Sequence, residues 1–269
     1  MTAHHTASTL AEVPIALTLL AIAGFYVRGH LQRPWSRGIQ SWRAVSLLAG
    51  LFAIWIALSS PLSALDHEFL TVHMVQHLLL MSIAAPLILM GEPVLVLWAG
   101  LPLPFVKVVR RLAQRPSMRR LGSILVSPVW CWVAATGALA VWHVPAMLTL
   151  TMQSGAWHAI AKASFVVTGL LFWWPVVQPW PSAPVPRWSM VLYLFLAMLP
   201  CDILSAFLVF SERIAYSVYL PMPGHTSLSV LDDQAVAGAL MWTVVTLVYL
   251  TAGTILATRL LSPRALEAV

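Results

Sequence analysis

Charge is scarce in this sequence. Only 9% of its 269 residues are Asp, Glu, Lys or Arg, against about a quarter in soluble domains. Apolar residues make up 60% of the chain and mean hydropathy is +0.85, which places it in lipid rather than water. Cysteine is nearly absent too. Cys131 and Cys201 both sit inside apolar segments and no CxxC occurs, so neither a disulfide framework nor a thiol metal motif is indicated. There is no Walker loop, dinucleotide fingerprint, nucleophile elbow or HExxH; these absences argue against an ATP-driven pump and a familiar hydrolase. The opening MTAHHTASTLAEV lacks the positive n-region of a signal peptide, so the first apolar run is expected to be retained. A net charge of +6 could suggest nucleic acid, but the cations lie in short blocks between apolar runs, which excludes that partner.

Long hydrophobic runs are what the chain has instead. A span needs about 20 mostly apolar residues, and seven stretches qualify: Leu10–Val27, Trp42–Leu58, Phe69–Met90, Ile124–Trp142, Ala156–Val177, Trp188–Phe210 and Ala235–Thr258. The expected fold is all-α, one seven-helix transmembrane domain over residues 1–269. Between spans three and four, LPFVKVVRRLAQRPSMRRLG alternates apolar and basic residues at helical spacing and reads as a linker lying along the headgroups. Tryptophans near span ends, such as Trp98, Trp142, Trp157 and Trp180, read as interfacial anchors. Gly91-Glu92-Pro93 reads as the stop of span three.

Lys and Arg accumulate in cytoplasmic loops. Arg28, Arg33, Arg37 and Arg43 follow the first span; Lys107, Arg110, Arg111, Arg115, Arg119 and Arg120 follow the third; Arg187, Arg259 and Arg264 fall on the same side. The opposite side has only Arg213, and Lys162 lies within a span. This asymmetry predicts an external N-terminus and a cytoplasmic C-terminus.

On that topology eight of the nine histidines fall at the outer face or in the outer half of the bundle, His30 being the exception. His73 and His77 are four apart on one helix and share a face. Such a pair can converge on one metal; it can also hydrogen-bond to neighbouring helices or line a wet cavity. His143 and His158 come to similar depth. Imidazole suits copper, zinc and iron, whereas thioether and thiolate favour Cu(I); Met147, Met152 and Met222 lie on the same side, although methionine in a membrane bundle usually packs. Ionisable groups within spans normally face the interior. Lys162 stands about one turn from His158, and its expected partner is Asp202, behind the helix-kinking Pro200, or Asp233. Either acid could instead orient a ligating histidine. Cys201 reads as an inert buried thiol or a Cu(I) ligand.

The run HMVQHLLLMSIAAPLILMGEP (His73–Pro93), VWHVP (Val141–Pro145), His158 followed by GLLFWWPV (Gly169–Val176), and DDQAVAGALMW (Asp232–Trp242) together resemble the signature of the polytopic CtaG family, assembly factors for caa-type cytochrome c oxidases. The resemblance covers spans three to seven in the family's order. It implies a non-enzymatic, multi-pass protein of the bacterial inner membrane that matures the oxidase, handling copper for its metal centres. It places the family's motif histidines at His73, His77, His143 and His158 and its Asp-Gln pair at Asp233 and Gln234. The external PMPGHTSLSVLDDQ adds Met222 and His225 as further candidate ligands.

The preferred expectation is therefore a factor that holds copper, as Cu(I) or Cu(II), at these histidines. It would pass the ion to an oxidase subunit, with periplasmic copper chaperones as candidate donors. Two alternatives stay open: a haem-b redox protein using His77 with His143 or His158, and an inward copper transporter.

Overall fold

The structure, a computed structural model, describes residues 2–32, 41–59, 62–177, 188–220 and 228–261; Met222, His225 and Trp180 lie outside these. Among the described residues the chain is helical throughout, with no strands. Buried in lipid, a backbone has only its own carbonyls to satisfy its N–H groups, and a helix does this within one segment. The elements are α1 (Thr2–Gln32), α2 (Ser41–Ser59), α3 (Leu62–Leu65), α4 (Leu70–Leu78), a π-helical turn (Leu79–Ala84), α5 (Ala85–Met90), α6 (Pro93–Gly100), α7 (Leu103–Ala113), α8 (Pro116–Leu125), α9 (Pro128–Trp142), α10 (Pro145–Gln153), α11 (Gly155–Val177), α12 (Trp188–Phe210), a 3₁₀ turn (Ser217–Tyr219) and α13 (Val230–Leu260).

Six of these helices, counting α4–α5 as one, are long and apolar enough to cross a membrane. The expected fourth span is broken: α8 and α9 meet at 62°, and only as a pair do they reach spanning length. The cause is local. Pro128 has no N–H to donate and starts a new helix after Ser127, whose backbone is extended. α13 begins at Val230, earlier than its apolar pattern, because Ser229 Oγ accepts from Asp232 N at 3.1 Å and caps it. α12 runs unbroken through Pro200. In the basic segment, α7 and α8 present exposed Phe105, Val108 and Leu112 beside the exposed Lys107 and Arg111, the composition of a helix lying on a membrane surface.

The third span has an internal break that positions the site. Pro86 cannot donate to Ser82 and its ring would crowd that carbonyl, and the turn just before it widens into π geometry. Widening loosens the carbonyls of that turn, and Trp173 Nε1 donates to Met81 O at 3.0 Å. Gly169 lets α11 approach this closely, since a Cβ there would stand 3.0 Å from Met81 Cα. The span ends at Gly91-Glu92, Glu92 taking left-handed backbone angles (φ 49°) before Pro93 starts α6.

Burial is inverted relative to a soluble protein. Val129, Ile203 and Phe210 are more than 70% exposed, whereas Asp66, His73, Gln76 and Gln234 are at most 1% exposed. Apolar surface faces outward and polar groups collect between helices, as lipid demands. One tryptophan departs from the anchoring expectation: Trp142 is buried, packs in the core and donates to Ser164 Oγ at 2.7 Å. Its indole N–H has a partner inside the protein, which an interfacial ring would find in water. At the end of the bundle away from His73, His77, His143 and His158, Arg43 pairs with Glu92 and Tyr26 OH donates to Gly91 O at 2.7 Å.

Candidate metal centre

The turn after α3, the start of α4 and the start of α11 bring Asp66, His73 and His158 together. One donor atom from each lies within 4.8 Å of the others, and among the described residues this is the only set of three His, Cys, Asp or Glu so placed. All three are buried, Asp66 completely. His158 Nε2 stands 3.3 Å from Asp66 Oδ2, and the more exposed His67 stands 3.6 Å from Oδ1. Neither ring nitrogen of His73 has a hydrogen-bond partner from the protein. Leaving a buried polar group unpaired costs about 1–3 kcal/mol, so packing alone does not account for this ring.

Lys162 donates to Asp66 Oδ2 at 2.8 Å. Lys162 thus pairs with neither Asp202 nor Asp233, the partners expected from the sequence, because Asp66 lies nearer. Asp66 comes from the short connection before α4, one residue from His67, and an i, i+4 search along the spans passes over it. The signal that could have found it is an acid at the histidine-rich end of a span, beside the only intramembrane lysine.

A second group lies one turn deeper along α4. His77 is buried with both ring nitrogens unpaired, its ring tilted over Phe165 at 4.1 Å between centres. His143, just past the end of α9, faces it at 5.8 Å. His143 Nδ1 contacts Leu139 O at 2.7 Å and Nε2 contacts Met74 Sδ at 3.4 Å. These residues border a cavity of about 40 Å³ that also touches Cys201.

Ring spacing sorts the four histidines. Two imidazoles on one ion, each with a metal–nitrogen bond of about 2.0 Å, hold their ring centres roughly 4.4–6.2 Å apart for bond angles from about 90° to linear. His73 and His158, at 5.9 Å, fit; so do His77 and His143, at 5.8 Å. His73 and His77 pack edge to face at 4.2 Å, too close to share an ion as they stand. The i, i+4 pair thus turns outward to two different partners.

Asp233 and Gln234 touch neither pair. Asp233 Oδ2 accepts from Leu70 N at 2.7 Å and Oδ1 from Thr71 N at 3.2 Å, so a carboxylate on α13 caps the helix that carries His73 and His77. Its negative charge also complements the N-terminal end of that helix's dipole. Gln234 Oε1 accepts from Ala215 N at 2.8 Å, and Nε2 donates to Leu208 O and Arg213 O, fixing the α12–α13 connection. Two tyrosines of that connection escaped the sequence reading. Tyr219 OH donates to Asp66 O at 3.1 Å and Tyr216 OH to His143 O at 3.0 Å. Burial pushes the Tyr216 phenol up to about 12. Tyr219 is raised by burial and then by the Asp66 and Asp233 carboxylates, so both remain neutral donors.

Of the remaining candidates, Asp202 has a buried, unpaired Oδ1 and Cys201 is a buried thiol on the cavity wall. Met152 Sδ lies 3.9 Å from Tyr219 OH, and Met147 packs against core residues.

The family model for cytochrome c oxidase caa3 assembly factor (Caa3_CtaG) matches residues 24–262. No curated protein and no solved structure gives a match. With the match running from within α1 to just past the end of α13, the chain belongs to the cytochrome c oxidase caa3 assembly factor family.

Proposed function

We propose that this assembly factor carries copper as cargo, held first by Asp66, His73 and His158 and passed on to a cytochrome c oxidase subunit. Family membership supports the assembly role. The single observation behind copper is the buried trio itself: a carboxylate and two imidazoles within 4.8 Å of one another, with His73 unpaired at both nitrogens. Two imidazoles and a carboxylate suit a first-row divalent ion and also accommodate Cu(I). Three protein ligands leave a coordination position for an incoming ligand, so the ion can leave by exchange.

Lys162 contributes to release. Its ammonium donates to Asp66 Oδ2, which also stands 3.3 Å from His158 Nε2, so cation and copper draw on one carboxylate. A site with a built-in competitor holds its cargo less tightly than the ligands alone would. That suits transfer better than storage.

The positive-inside asymmetry puts this end of the bundle at the extracytoplasmic face of a bacterial inner membrane. Copper arriving there from a soluble donor need not cross the hydrocarbon core. The haem reading is disfavoured by space. Ring centres 4.2–5.9 Å apart, around a cavity of about 40 Å³, leave no slot for a macrocycle. Inward transport would want ligands along the depth. The other cysteine, Cys131, is buried with Sγ donating to Leu125 O at 3.2 Å.

Purified protein loaded with Cu(II) and passed through a desalting column is expected to retain about one ion per chain. A His73→Leu/His158→Leu double variant is expected to retain none and to fail to restore oxidase activity in a deletion strain. Full copper retention by the double variant would overturn the assignment.

A further inference from the structure

We propose that Met74 Sδ, His143 Nε2 and His77 form a second station, selective for Cu(I), one helical turn deeper than the Asp66–His73–His158 trio. It deepens the copper reading above by giving the ion a place to move to, but its evidence is separate.

His143 Nδ1 lies 2.7 Å from Leu139 O, and a carbonyl only accepts, so Nδ1 carries the hydrogen. In the neutral ring Nε2 is then a bare lone pair. The atom it faces, Met74 Sδ at 3.4 Å, is also a lone-pair donor with no hydrogen to give. Protonating Nε2 would supply one, but an imidazolium buried beside Phe165 without a carboxylate partner is costly. Two electron-pair donors thus stand face to face in the interior of the bundle.

The spacing is the one a shared ion imposes. With metal–nitrogen and metal–sulfur bonds of about 2.0 and 2.3 Å, a tetrahedral angle puts N and S roughly 3.5 Å apart. His77 is the third member. Its ring centre is 5.8 Å from that of His143, Phe165 holds the ring by stacking, and both of its nitrogens are buried and unpaired. The cavity of about 40 Å³ that these side chains border has room for an ion beside them.

The two stations differ in softness. A carboxylate and two imidazoles accept Cu(II), Zn(II) or Cu(I), whereas a thioether with imidazoles, and no anionic ligand, favours Cu(I). His73 and His77 lie edge to face at 4.2 Å between ring centres, so a single Cu(I) passes from one imidazole to the other as the rings turn, with no electron transferred. The deeper station therefore filters the cargo by charge and softness after the outer trio has captured it.

The test uses full-length protein in detergent, loaded anaerobically with Cu(I), and X-ray absorption at the copper K-edge. Wild type is expected to show a sulfur shell near about 2.3 Å. Met74→Leu, close to volume-conserving, is expected to lose that shell and one Cu(I) per chain while eluting and melting as wild type does. Asp66→Asn is expected to keep it. Copper bound by nitrogen and oxygen alone in wild type would overturn the deeper station and leave the trio standing. A sulfur shell that survives Met74→Leu would overturn it equally. Failure of wild type to bind any copper would overturn both.

Discussion

Two buried polar regions sit side by side at one end of this bundle, and they are built oppositely. Around Asp233 and Gln234 the polar groups have partners. The carboxylate takes two backbone amides, the glutamine takes one and gives to two carbonyls, and all of these partners belong to helix ends or connections. Around His73 and His77 four ring nitrogens have no protein partner at all. Both regions look alike in composition: short runs of polar residues opening an apolar span. Their difference is between polar groups that fasten helices together and polar groups held ready for something else.

That contrast predicts opposite responses to substitution. Asp233→Ala strands two buried amides and removes a cap, and should cost about 2–3 kcal/mol of stability, read as a lowered unfolding midpoint in detergent. His73→Leu removes two unpaired nitrogens and should cost nothing, or stabilise by about 1 kcal/mol, while weakening Cu(II) retention. Equal destabilisation by both would erase the distinction. A smaller effect sharpens it. Lys162→Met removes the cation that competes for Asp66, so Cu(II) affinity should rise on the order of tenfold in chelator competition, while the metal-free protein loses stability because a buried carboxylate is left without its cation. Unchanged affinity would make Lys162 purely structural.

Much of this was legible in the sequence, because lipid imposes simple rules. Apolar runs located the spans to within a residue or two at most ends, and positions such as Trp188–Phe210 needed no revision. Among the exceptions, Pro128 splits the fourth span, Pro86 follows a π turn in the third, and Ser229 extends the seventh, while the first helix, Thr2–Gln32, overruns the expected Leu10–Val27 at both ends. At the site, the depth of His73, His77, His143 and His158 was readable from helical position, but their grouping was not. Grouping depends on which ring rotates toward which neighbour, and 4.2 Å against 5.9 Å is decided by rotamers and helix crossings. Asp66 and Met74 were overlooked for different reasons. Asp66 lies in a connection, where period carries no information. Met74 hides between the two histidines as one more apolar letter, and its place opposite His143 Nε2 shows only in the structure.

Cu(II) bound to the purified protein offers the most direct measurement, by three-pulse electron spin-echo envelope modulation, which counts imidazoles through their remote nitrogens. The account predicts about two equatorial imidazoles in wild type, falling to one in His158→Leu and two unchanged in His77→Leu. Modulation that is insensitive to His158 but lost with His77 would contradict it.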